Sequence, residues 1–124
     1  MTIALWGVLG AAFLPYLCIV IARFGLKGFD NHHPRQVTER FTGWRARAIS
    51  AERNSWEAFA LFAAGVFAAH LAQAPQSRMD MLALAFIAVR LVYITLYVGD
   101  KPSLRSSVWL VGFLLTIALF VIGA

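Results

Sequence analysis

Residues 108–124 read VWLVGFLLTIALFVIGA, 17 residues without a single charge. A soluble helix of this length carries a polar stripe for water. Here Thr116 is the only polar side chain after Trp109, so no such stripe exists. The segment is long enough, at about 1.5 Å per residue, to cross most of a hydrocarbon layer about 30 Å thick. Working backwards, three more segments share this character. Ile3–Ala22 has 20 uncharged residues, Ala58–Ala74 has 17, and Met81–Val98 has 18 with Arg90 as its one charge. Across 124 residues the chain is 60% hydrophobic and 14% charged. The usual charged share is about 25%. Disorder is excluded, and an ordinary soluble domain does not fit. The expected fold is all-α: one integral membrane four-helix bundle, with spans at about 3–23, 45–73, 80–98 and 104–123.

The 11 Lys and Arg residues outnumber the 6 Asp and Glu. Such a balance suits nucleic acid in a soluble protein, but its distribution here points to membrane topology and no nucleic-acid partner. Arg23, Lys27, Arg35, Arg40, Arg45, Arg47 and Arg53 lie between or beside the first two spans, and Lys101 and Arg105 between the last two. Only Arg78 lies between spans two and three. Basic loops stay in the cytoplasm, so both termini are expected on the non-cytoplasmic side. The same basic surface attracts anionic membrane lipid or an anionic substrate. Met1–Ala22 reads as a retained first span, because no basic residue precedes Arg23 and its apolar run exceeds a signal-peptide core. The lone Cys18 permits no intrachain disulfide.

Residues 24–44 read as a polar loop, followed by a helix starting near Thr42. Ala60, Ala64 and Ala68 form a small-residue row suited to close helix packing. A tight turn over 99–103 leads into the last helix, with Ser103 placed to cap it. His32 and His33 beside Asp30 lack the spacing of a metal site, and no metal is expected.

Charged side chains are costly inside a membrane and mark function or pairing. Glu57 and Arg90 are the two to explain. At roughly 100° per residue, Arg47, Ser50, Asn54 and Glu57 share roughly an 80° stripe, with Arg53 beside it. Arg90, Tyr93 and Tyr97 share one face of the third span. The turn brings Arg105 back toward Tyr97, in the first turn of the fourth helix, where backbone amides and the dipole favour an anion. This grouping suits a small zwitterionic or anionic ligand. The simpler alternative is that Glu57 pairs with Arg53 or Arg90 as structural glue.

The pattern Arg47-Ala48-x-x-Ala51-x-x-Asn54-x-x-Glu57 resembles the second-helix signature of the MAPEG family, the membrane-associated proteins in eicosanoid and glutathione metabolism. The four-span plan, the length, and Arg90…Tyr97…Arg105 are similar too. Asp30-Asn31-x-x-Pro34-Arg35 resembles bacterial members. The resemblance implies a homotrimer in a bacterial inner membrane, with glutathione as co-substrate bound between subunits near the cytoplasmic face. By that resemblance Arg23, Arg47, Arg53, Asn54, Glu57, Arg90, Tyr93 and Tyr97 bind glutathione, with Glu57 at its amino end. The resemblance likewise implies that Arg105 is the catalytic residue, stabilising the thiolate. The implied activity is a microsomal-type glutathione transferase or peroxidase acting on lipophilic electrophiles or lipid hydroperoxides.

Ser50 departs from the pattern, because eicosanoid-forming relatives carry an arginine there. A non-catalytic membrane scaffold is therefore one alternative. A small multidrug transporter is another, but those carry a glutamate in the first span, and this first span has no carboxylate.

Overall fold

A computed structural model describes residues 1–124. The chain is helical throughout: α1 (Ile3–Arg23), α2 (Pro34–Glu39), α3 (Gly43–Leu71), α4 (Gln76–Val98) and α5 (Pro102–Gly123). Three of these, α1, α4 and α5, are long and apolar enough to cross a membrane. The longest, α3, has 29 residues, and its first half carries Arg45, Arg47, Glu52, Arg53 and Glu57.

The expected loop between α1 and α3 contains a short helix. Asp30 Oδ1 accepts the His32 amide at 2.9 Å, closing a turn. Pro34 then opens α2, where its fixed φ suits a first helical position and its missing N–H leaves nothing unsatisfied. The same chemistry corrects the start of α5. Pro102 takes the first helical position after Lys101, so Ser103 lies inside the helix and makes no capping bond. The preceding Asp100 adopts a left-handed φ of 58°, which a short polar side chain tolerates.

Both α1 and α5 pack against α3 and α4 but do not touch each other, while α3 and α4 meet across the diagonal. The polar helix α3 thus lies at the centre of the contacts. One core joins Phe62 and Val66 of α3 to Ala4, Met79, Phe86 and Leu119, with the Phe62 and Phe86 rings stacked 4.0 Å apart. A smaller one, at the end bearing the basic loops, joins Cys18, Ala51, Tyr93 and Ile94.

Lipid tails are as apolar as leucine, so close packing rather than escape from water holds such helices together. Gly65 provides that closeness. A Cβ there would lie 3.2 Å from both Leu119 Cβ and Phe120 Cε2. At the end of α5, a Cβ on Gly123 would lie 3.2 Å from Ala69 Cα. The tight face of α3 within the chain therefore runs through Gly65 and Ala69. Of the alanine row, Ala60 and Ala64 remain exposed and Ala68 half-buried.

Helix ends leave carbonyls and amides without intrahelical partners. Two arginines of α3 meet this need at the basic end. Arg45 Nη1 donates to Ala22 O at 2.7 Å and Phe24 O at 2.9 Å, and Arg47 Nε donates to Val98 O at 3.0 Å. At the opposite end Asp80 Oδ1 accepts the Ala4 amide at 2.8 Å and Gln76 Nε2 at 2.6 Å. A carboxylate there also complements the positive end of the α1 dipole.

Candidate functional site

A cavity of about 270 Å³ opens between α3, α4 and α5. Its polar floor is Asn54, Glu57 and Arg90, and Phe86, Trp109 and Phe113 supply aromatic walls. Arg90 is only 2% exposed, which demands an account of its charge. Its Nη2 donates to Ser55 Oγ at 3.2 Å, and Ser55 Oγ in turn donates to Ala51 O at 2.7 Å. Its guanidinium also lies 4.1 Å from the Tyr93 ring centre, where the π face favours a cation. The expected alternative of an Arg90–Glu57 pair is not what the side chain does. Arg90 Nε and Asn54 Oδ1 are both buried without a hydrogen-bond partner. An idle buried polar atom costs about 1–3 kcal/mol, so this floor carries unused binding capacity, one donor and one acceptor, beside a carboxylate.

From Arg90 a ladder descends α4. Tyr93 and Tyr97 meet edge to face with centroids 5.7 Å apart, and the Arg105 guanidinium lies 4.2 Å from the Tyr97 ring centre. The tight turn at 99–101 makes this possible by returning α5 alongside the end of α4. Tyr93 touches the cavity through Arg90, and none of Tyr93, Tyr97 and Arg105 is among its walls.

A second, larger cavity of about 590 Å³ lies on another face of α3, toward α1 and α2. Arg23, Arg35 and Arg53 line it together with Glu39, Glu52 and Tyr16. Arg23 Nε is buried and unpartnered, and its guanidinium lies 4.3 Å from the Phe29 ring centre.

The residues singled out in the sequence thus separate into groups. Asn54, Glu57 and Arg90 come together in the first cavity, and Arg23 and Arg53 in the second. Tyr93, Tyr97 and Arg105 form the ladder, and Arg47 is engaged with the end of α4. Sequence reasoning missed Ser55, which anchors Arg90, and Arg35, Glu39 and Glu52 of the second cavity. Ser55 gave no sequence signal, because its neighbour Asn54 carries the motif while Ser55 points toward α4. Arg35 stood in an apparent loop.

Three helices long and apolar enough to cross a membrane, a polar helix packed among them and a buried arginine in α4 define an integral membrane helical protein. The model of the MAPEG family matches residues 3–124, essentially the whole chain, and the chain belongs to that family. Searches of curated proteins and of solved structures found no match.

Proposed function

We propose that this chain is a membrane-embedded glutathione-dependent enzyme of the transferase or peroxidase type. In this reading α3 is a fourth span and glutathione is the co-substrate. The observation that carries it is the first cavity, where an idle amide oxygen, an idle guanidinium nitrogen and a carboxylate lie below aromatic walls. The polar floor suits a zwitterionic peptide, and the aromatic wall suits a lipophilic second substrate delivered by the bilayer.

A free thiol has a pKa near 8.5, and lowering it by about two units takes about 2.7 kcal/mol of preferential thiolate binding. Arg105, at the start of α5, supplies charge and a helix N-terminus together. The thiolate sulfur then attacks an electrophilic carbon and the leaving group departs with its electron pair. With a hydroperoxide, sulfur takes the terminal oxygen as the O–O bond breaks and the alcohol leaves, and a second glutathione then attacks the sulfenic sulfur, releasing water and forming the disulfide.

We further propose a homotrimer. The two cavities lie on different faces of α3, so the second cavity of one copy can meet the first cavity of the next. Contacts between unlike faces close into rings when the rotation permits. The exposed Ala60 and Ala64 leave α3 a small-residue face for such a neighbour.

Equilibrium binding of glutathione to the purified protein tests the reading. Glu57→Gln keeps the shape and removes the charge that receives the peptide's ammonium group. Binding should weaken about tenfold, the scale of one charge-assisted hydrogen bond, with the trimer mass unchanged by native mass spectrometry. Intact binding with only a lowered unfolding temperature makes Glu57 structural. A monomer or dimer as the main species removes the trimer.

We further propose that the membrane is a bacterial inner membrane and that both termini lie outside the cytoplasm, as the asymmetry of the basic residues favours. A reporter fused after Ala124 should therefore report a non-cytoplasmic position. A cytoplasmic signal would invert the proposed topology and the side from which glutathione enters.

A further inference from the structure

Arg90 is the buried cation of the first cavity, and its own surroundings decide where its N–H groups point. Its stem is set from the α5 side: a Cβ on Gly112 would lie 4.0 Å from Arg90 Cδ, so the bare glycine lets the stem lie close against α5. The head group has two contacts. It lies over the Tyr93 ring, 4.1 Å from its centre, and its Nη2 donates to Ser55 Oγ at 3.2 Å. The ring contact attracts a cation without choosing among its N–H groups. A hydrogen bond has a direction as well as a length. Ser55 is therefore the contact that decides which donor is spent and which stays idle.

Ser55 is suited to that task. Its hydroxyl donates to Ala51 O at 2.7 Å, a bond that serines make to their own helix. Its one proton is thereby committed, and toward Arg90 the oxygen is an acceptor only. Ser55 and Arg90 are each only 2% exposed, and the smaller core of Cys18, Ala51 and Tyr93 lies around them. The bond is made where the local dielectric is low and an electrostatic contact holds its geometry firmly. Asn54 and Arg90 are among the cavity walls and Ser55 is not, so Ser55 acts on the cavity from behind. With Nη2 spent on Ser55, Arg90 Nε is left buried without a partner.

We propose that Ser55 is a positioning residue for glutathione: by accepting Nη2 it holds Arg90 with its idle Nε–H available to the bound peptide. This rests on the proposed binding of glutathione in the first cavity, and it adds a residue that lies outside the cavity walls. The competing role is a serine that only fastens α3 to α4, which moves stability and not affinity.

The test measures equilibrium binding of glutathione to the full-length protein in lipid nanodiscs, together with the unfolding temperature of each variant. Ser55→Ala should weaken binding about tenfold, within the range over which residues in contact couple. Ser55→Thr keeps a hydroxyl that bonds the carbonyl one turn back, and it should restore most of the affinity. Arg90→Met removes the guanidinium and keeps an apolar stem, and in that background Ser55→Ala should have no further effect. A lowered unfolding temperature for Ser55→Ala with unchanged affinity overturns the proposal, because the serine is then only a fastener. Equal weakening by Ser55→Ala with and without the guanidinium also overturns it, since the effect then does not pass through Arg90. Binding by Ser55→Thr as weak as by Ser55→Ala overturns it too. Each of these three results leaves the glutathione reading standing, whereas no glutathione binding by the unsubstituted protein overturns both.

Discussion

Arg105→Ala should slow conjugation of glutathione to a dinitrohalobenzene by about ten- to a hundredfold, the worth of a lost charge-assisted hydrogen bond of about 1.5–3 kcal/mol. The geometry makes this residue separable from binding. Arg105 rests on the Tyr97 ring, about two helical turns along α4 from Arg90, and is not among the lining of the cavity floored by Asn54, Glu57 and Arg90. A glutathione analogue lacking the thiol should therefore bind almost unchanged. The thiolate absorbance of the bound peptide should fall at neutral pH. The sign for pH follows directly. In the proposed reading Arg105 favours the charged thiolate and lowers the thiol pKa, so its removal should move the rising limb of the rate profile to higher pH. Arg105→Lys should be intermediate. Equal weakening of both ligands would make Arg105 a carboxylate clamp. The absence of any thiolate signal at saturating glutathione in the unsubstituted protein would falsify the enzymatic reading and favour a scaffold.

The largest loss of stability is expected from Gly65→Leu. Even a methyl group there would lie 3.2 Å from Leu119 Cβ and Phe120 Cε2 and 3.4 Å from the Thr116 carbonyl. Leucine adds three more carbons in the same space, so α3 and α5 must separate. Overpacking costs about 1–3 kcal/mol where side chains can adjust, and a backbone obstacle places this case at or above the top of that range. Gly112→Ala is the control. Its Cβ would meet Val89 Cγ1 at 3.5 Å, an ordinary contact, and alanine favours a helix. Reversible unfolding in mixed micelles should show Gly65→Leu strongly destabilised and Gly112→Ala close to unchanged. Similar stability of the two would mean that α5 is not held by close approach at Gly65.

Much of the helix plan was legible because hydropathy acts along the chain and needs no partner. Val108–Ala124 and Ile3–Ala22 declare themselves without knowledge of their neighbours. The Arg90, Tyr93 and Tyr97 face was legible for a similar reason, since helical periodicity alone aligns it. What escaped depends on relations between helices. Placing Arg53 beside the Asn54 and Glu57 stripe does not say that α1 and α2 lie on one side and α5 on the other. That arrangement sends Arg53 to a different cavity from its sequence neighbour. Ser55 escaped because its role exists only once Arg90, 35 residues away, is brought against it. The small-residue row shows the limit of periodicity: Ala60 and Ala64 have the right spacing, but Gly65 and Ala69 make the contact with α5. Arg47 shared the motif face, and a carbonyl at the end of α4 engages it.

The bond from the Ala4 amide to Asp80 has a consequence for biogenesis. The two residues are separated by 76 positions, so the amide at the start of the first helix emerges from the ribosome long before its carboxylate exists. Until then Thr2, whose hydroxyl accepts the Leu5 amide, is the side-chain cap available to that end. The first helix must therefore enter the bilayer with its leading end solvated by the interface, and it becomes fastened only when the start of α4 arrives beside it. Assembly is then ordered by synthesis: the helix made first is the one whose anchorage waits for more than half of the remaining chain.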